Sequence, residues 1–434
     1  MGIGSRKRRT GRDEPLGFPS AEDALREAII GRLFDGVLRS ARSQLLRAGS
    51  PLAVEIWGSG LLAVWDGLPG PSAIGPGGDD SPAGAFTEAL IRRAQELATP
   101  DAMAVLAAVA AVAPSRVATR ARTAAATLEQ AGIPAPEWTA VAGTAVPTEA
   151  WIGTDVYGDQ EIVIVGFAYP GLAGDRGHSI CVLVDHTERG VARDAYPAGP
   201  LDQTLARWRE AEAAGISLRP ATLPEVAARL ADALLATDFR AGDPGPEAPA
   251  GADAERRSLL EMRALLTARL AALPPAAAVG VEELDADGRD WLVAEFLGSP
   301  EAAGLLSEPA AVTVCHSLIA YRCDYGDGDP LRWSPTLAGL CLLDHFPVRV
   351  SLDAPDVALV PDVLAAWVAF AARRRHLSDA ALARILDVVD SCREDFPVVM
   401  ADAARYSPAK RAAMSLLAQG IDLTDGHTWA AVGR

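Results

Sequence analysis

The sequence predicts a mainly helical protein with a small α+β unit: a helical-hairpin or solenoid-like N-terminal domain, a central three-stranded antiparallel meander with two helices, and a helical C-terminal domain. Three observations carry this reading. Apolar residues recur at three- and four-residue steps over most of the chain, which is the spacing of one helix face. β-branched residues gather in one stretch, 161–196, bounded by glycine and proline. Runs dense in glycine and proline, 67–84 and 238–252, interrupt the helical pattern.

The elements follow in order. Residues 1–18 carry the basic cluster Arg6-Lys7-Arg8-Arg9 with no apolar run behind it, so they read as a solvated, disordered tail and not a secretory signal. Residues 19–148 form the first helical domain. Ser20 caps a helix whose face carries Leu25, Ile29, Leu33, Val37, Leu38 and Leu45. Gly49-Ser50-Pro51 ends it and opens a second helix, Leu52 to Trp65. Ten of the eighteen residues in 67–84 are Gly or Pro, so that segment reads as a flexible loop. Helices resume at 86–97, 101–113 and 115–131, and the absence of a clean repeat period makes the solenoid label architectural only.

Residues 149–237 form the α+β unit. Glu161 to Tyr169, Ser179 to Val184 and Val191 to Tyr196 are the three strands, followed by helices 201–214 and 222–237 over one sheet face. Residues 238–252, with three Pro and three Gly, read as a domain linker to a second helical domain, 253–434. There Ser334-Pro335, Ser378-Asp379 and Ser407-Pro408 mark capped helix starts, and Arg373-Arg374-Arg375-His376 reads as a helix end rather than a phosphate site.

Composition narrows the function. The 434 residues include 85 alanines, while aromatics make up only 6%, so helix interfaces are built from small side chains. Lysine occurs only at 7 and 410, which argues against lysine-dependent phosphate or Schiff-base chemistry. A net charge of −17 spread along the chain argues against a general nucleic-acid binder and points to solubility more than to a cationic ligand. Five cysteines without tight spacing are no disulfide scaffold and fit a reducing cytoplasm. The most apolar run, Ala102 to Ala113, is too short to span a bilayer. Phosphate-loop, dinucleotide, nucleophile-elbow and zinc-protease motifs are all missing.

Two clusters hold candidate chemistry. Asp155, Asp185, His186 and Asp194 converge if a hairpin folds between the last strands, and two or three carboxylates with an imidazole suit a divalent metal or general acid–base work. His178 lies eight residues from His186, roughly 26 Å along a strand, too far to share a metal. Cys341 and His345, spaced i, i+4, face one way on an α-helix and suit a metal, although zinc needs two more ligands. The acidic loops at 285–290 and 324–329 lack the twelfth-position Glu of a calcium loop and read as turns.

Thr154-Asp-Val-Tyr-Gly-Asp-Gln160, Val182-Leu-Val-Asp-His-Thr187 leading into Gly190-Val-Ala-Arg-Asp194, and Leu364-Ala-Ala-Trp-Val-Ala-Phe370 together resemble a family of large hypothetical proteins from high-GC actinobacteria. The resemblance implies the same three-part plan and a cytoplasmic location, and it transfers no catalytic residue. The leading expectation is a non-catalytic cytoplasmic protein acting through protein–protein contacts of its helical modules, with no cofactor and no membrane. The alternative is a metal-binding or acid–base enzyme centred on Asp155, Asp185, His186 and Asp194. A third possibility is DNA contact through Arg6–Arg9.

Overall fold

The computed structural model describes residues 21–66, 82–210, 215–242, 252–276, 284–305, 310–352 and 354–418. It is mainly α-helical with one antiparallel five-stranded sheet. Both the basic tail with Arg6–Arg9 and most of the 67–84 segment lie outside the described residues.

Five helices open the chain: α1 (Ala21–Gln44), α2 (Pro51–Asp66), α3 (Pro82–Leu97), α4 (Pro100–Val112) and α5 (Ser115–Gln130). Residues 82–84, assigned to the loop from their Pro and Gly, form the first turn of α3, where proline at N1 costs no hydrogen bond. The Thr99 side chain caps α4 by accepting the Ala102 N–H at 3.3 Å. This helix packs against α1, α2, α3 and α5 and buries Met103, Leu106 and Val109. Here the alanine excess acts: Ala102, Ala104 and Ala108 are fully buried, and α2 lies so close that a Cβ on Gly58 would stand 2.8 Å from the Ala108 carbonyl oxygen.

The sheet contains β1 (Val146–Thr154), β2 (Gln160–Ala168), β3 (His178–Asp185), β4 (Val191–Ala198) and β5 (Ser217–Ala221) in the order β4-β3-β2-β1-β5. Two strands were missed in the three-strand expectation. β1 mixes Pro147, Glu149 and Gly153 into its apolar pattern, and β5 is five residues with a proline. Tertiary pairing overrides the weak propensity of both. The face carrying Ile152, Val163, Val165, Ile180 and Val182 is covered by α7 (Leu223–Gly242) and α8 (Ala252–Ala272). The other face, with Ile162, Ile164 and Cys181, is covered by the shorter α6 (Leu201–Glu210).

The linker expectation at 238–252 needs correction where it can be seen. α7 runs on to Gly242; Asp238 pairs with Arg263 of α8 and Arg240 with Glu188, and 243–251 lie outside the described residues. α8 does not join the C-terminal helices. Its Leu259, Met262, Leu265 and Leu266 pack with the sheet, and its other side lies on α2. α8 thus joins the N-terminal helices to the sheet.

The remaining helices surround a second large core. They are α9 (Ala286–Leu297), α10 (Ala310–Asp324), α11 (Pro335–Leu340), α12 (Phe346–Arg349), α13 (Ala354–Arg374), α14 (Asp379–Cys392), α15 (Asp395–Ala401) and α16 (Pro408–Ala418). Ser334, Ser378 and Ser407 accept N–H groups of Leu337, Ala381 and Lys410, as expected of caps. α13 supplies Trp367, Val363, Leu364 and Phe370 to this core. Its stretch Pro355–Arg374 is the one helix among the described residues long and apolar enough to cross a membrane, and more than half of it is buried inside the protein. At its C-terminal end Arg373, Arg374 and Arg375 pair with Glu301, Glu295 and Asp329.

The sheet unit meets the C-terminal core through Arg332 and Tyr157. Arg332 donates to the Gly158 carbonyl at 3.1 Å, the His186 carbonyl at 2.9 Å, and the Asp159 and Asp327 carboxylates. The Tyr157 hydroxyl adds a bond to the Ala381 carbonyl at 3.2 Å.

Two glycines of α2 should respond oppositely to alanine. At Gly60 a Cβ meets nothing within 4 Å, so Gly60→Ala should stabilise by about 0.5–1 kcal/mol through helix propensity. Gly58→Ala should destabilise by roughly 1–3 kcal/mol, because backbone must move. Urea denaturation of both variants measures the two signs.

Candidate functional site

The carboxylates singled out in the sequence are engaged locally. Asp155 sits in the β1–β2 turn and accepts the backbone N–H groups of Tyr157 at 3.0 Å, Asp159 at 2.9 Å and Gln160 at 3.3 Å. Asp185 ends β3; it accepts from the Thr187 amide at 2.8 Å, the Thr187 hydroxyl at 2.6 Å and Arg193 at 2.9 Å. Burial alone would raise its carboxyl, but the bonds from Thr187, Gln160 and Arg193 outweigh burial and hold it below the usual range. Asp194 turns back on the chain to accept the Ala195 N–H at 2.8 Å. The hairpin pairs Asp185 with Val191 and Leu183 with Asp194, so the two acids are staggered along β4.

His186 has a different neighbour: its Nε2 stands 3.8 Å from Oε2 of Glu161, which also accepts from Arg229 at 2.7 Å. Glu161 is buried, and its other oxygen has no hydrogen-bond partner.

The Cys341–His345 pair does not sit on an α-helix. Residues Cys341–His345 form a π-helical turn, closed by the Phe346 N–H bonding the Cys341 carbonyl, so the i, i+4 alignment assumed for a shared ligand is lost. Cys341 is fully buried in the C-terminal core, and burial pushes its thiol far up. His345 lies against Tyr321 and Tyr325, ring centroids 4.7 and 5.0 Å away, and burial with nearby Arg349 lowers it to about 4. Among the described residues no group of three or more His, Cys, Asp or Glu is placed to hold a metal. All five cysteines are free.

A polar cluster that sequence reasoning missed lies where α2, α8 and the sheet meet. Glu55 of α2 is fully buried. It pairs with Arg269 of α8, accepts the Tyr169 hydroxyl at 2.6 Å and accepts the Gly143 N–H at 2.6 Å. Arg269 also reaches the Tyr169 hydroxyl at 3.1 Å and Nε2 of His178 at 3.3 Å, and it lies over the ring of Phe167. Burial first, and the Arg269 charge second, lower His178 to about 4, so the ring is neutral and stacks with Phe167 and Tyr169. The signal was present: Glu55 is the one charge between Leu52 and Trp65, and Arg269 interrupts a leucine-rich face.

The same helices open, on another side, into a cleft of about 630 Å³. One wall is α1, with Gly36, Ser40 and Gln44 at i, i+4, i+8, and another is α2, with Trp57, Gly60 and Val64. β4 contributes Tyr196 and Pro197, and α8 contributes Ser258, Glu261 and Met262. Trp57 is held in place by its indole N–H, which donates to Ser40 Oγ at 3.0 Å. Val64 is 56% exposed, a large apolar side chain left open to solvent beside an apolar hollow. The sequence marks this site only as small residues, Gly36, Ser40 and Gly60, on otherwise apolar helix faces.

No family model matches the chain, and neither does any curated protein or solved structure.

Two measurements follow. Glu55→Gln and Arg269→Met should each cost roughly 3–5 kcal/mol in urea denaturation, and the double variant should lose less than their sum. Stability should also depend on pH. His178 and His345 are neutral in the fold down to about 4 but take a proton in the unfolded chain below about 6.5. Stability is therefore full well above pH 6.5 and falls as pH drops toward 4, by about 3 kcal/mol per ring. His345→Phe, which keeps the aromatic packing, should lessen the fall in denaturation midpoint between pH 7 and pH 4.5.

Proposed function

We propose that the chain is a non-catalytic cytoplasmic protein that works by binding another protein, with the α1–α2–α8–β4 cleft as its contact site. The observation that carries this is the cleft itself: an open, mostly apolar hollow of about 630 Å³ walled by helices, of the size and character that binding sites take. The α1–α2 pair forms one side of this hollow, and surfaces between paired helices commonly bind partners. The membrane-free setting and the actinobacterial three-part plan belong to the same proposal.

A second reading retains acid–base or metal chemistry in the sheet unit. Asp155 serves a turn, Asp185 a strand end and Asp194 the next amide within β4, so this reading now rests on His186 beside the half-satisfied carboxylate of Glu161. Elemental analysis of purified protein, with His186→Gln alongside, tests it; stoichiometric metal lost in the variant would favour it.

The binding reading is tested by placing a photo-crosslinking residue at Ser258 and irradiating producing cells. One partner should be captured there, and the capture should drop at least about tenfold in Gly60→Leu, which fills the cleft. Unchanged capture in that variant, or none from the unaltered cleft, would overturn it.

A further inference from the structure

The chemistry of the cleft also says what enters it. Resting on the cleft being the contact site, we propose that its occupant is an apolar segment of the partner that carries a lysine or arginine and inserts side chains.

Entry as an added strand is blocked by the backbone chemistry of β4. This strand is an edge of the sheet, the usual template for strand addition. At Ala192 and Ala195 its backbone groups are already taken. The Ala192 N–H donates to Thr237 Oγ1 at 3.0 Å, and the Ala195 N–H donates to the Asp194 side chain at 2.8 Å. The Ala195 carbonyl accepts from Ser258 at 3.4 Å, and Pro197 has no N–H to offer. An arriving strand would have to break these bonds to form its own.

Side chains meet no such barrier. The space above Gly60 is empty to 4 Å, and Gly36 and Ser40 keep the facing wall low. From Gly36 to Gln44 and from Ile56 to Val64 each wall runs about 12 Å, enough for two turns of a docked helix.

Charge sets the remaining requirement. Glu261 is the one charged side chain among the described lining residues; it is exposed and makes no hydrogen bond or ion pair with another described residue. The Trp57 ring lines the same hollow. A cation is attracted by a free carboxylate and by an indole face, whereas a carboxylate is repelled by the first. Arg39 is not among the lining residues, although its Nη2 stands 4.0 Å from where a Cβ on Gly36 would be, so it is the cation at the rim that an incoming lysine or arginine has to pass. The preference comes from this single placement; the −17 net charge, spread over the chain, would not orient anything.

Octylammonium, octanoate and octanol serve as probes, since octylammonium copies a lysine head on an apolar body. Each is titrated calorimetrically into the full chain, Glu261→Gln and Gly60→Leu, with circular dichroism confirming that the variants fold. Octylammonium should bind about tenfold tighter than octanoate. The ratio should shrink to about twofold in Glu261→Gln, and Gly60→Leu should weaken all three. Equal binding by the unaltered chain, or a preference that persists in Glu261→Gln, would overturn the cation requirement while leaving the cleft as an apolar contact site. No binding of any probe overturns the proposal outright, and the crosslinking result then decides separately whether the cleft is a contact site at all.

Discussion

The buried pair of Glu55 and Arg269 constrains everything between the N-terminal helices and the sheet. Neither charge reaches water, so each depends on the geometry of the other for its existence in the fold. The Tyr169 hydroxyl, the Gly143 amide and the neutral His178 ring complete the set, drawing in the end of β2, the approach to β1 and the start of β3. One position of α2 against α8 satisfies all of these at once. Nearby, the Leu265 amide donates to buried Ser59 and holds the same two helices in the same register. The cleft follows from this. Helices fastened through Glu55, Ser59, Leu265 and Arg269 leave Trp57, Gly60, Ser258 and Glu261 around a hollow they cannot close.

Much of the fold was legible because it rests on local signals. Thr99 and Ser378 cap their helices by the rule that short side-chain oxygens satisfy the first free amides, and the arginine run at 373–375 closes α13 as its place at the negative end suggests. β2 and β3 carry the densest β-branched runs and were found. β1 and β5 were not, because their residues are ordinary and only pairing makes them strands. α8 was placed in the wrong company for a related reason: a glycine- and proline-rich stretch looks like a boundary, but whether the next helix turns back is decided by a partner two hundred residues away. The site was less legible than the fold. Carboxylates near a histidine look like chemistry in one dimension, while Asp155 and Asp185 are spent on backbone amides in three. A hollow leaves no residue type of its own; it is written in glycines, which usually mean something else.

The sequence holds 38 arginines and two lysines. At the joints the guanidinium is used for what it does best. Arg332 directs its fork at two carbonyls and two carboxylates from separate parts of the chain, and buried Arg322 shares Asp327 with it. Burial holds the Asp159 carboxyl above the usual range even with Ser334 and Arg332 beside it, a measure of how dry this joint is. A lysine, with one compact head, could not span the same set of acceptors.

β2, the middle strand of the sheet, carries Ile162-Val-Ile-Val165, uncharged, free of proline and strongly β-forming. Such a segment is harmless only while strands lie on both sides of it. The sheet edges outside it are both guarded, β4 by its side-chain bonds and Pro197, β5 by its shortness, Arg219 and Pro220. The edges of the described sheet thus make poor templates for growth, but a chain that loses β1 or β3 exposes the stickiest part of itself. A molecule that has lost those neighbours persists only if β2 is covered again faster than it pairs with another chain, a contest of rates as much as a balance of energies.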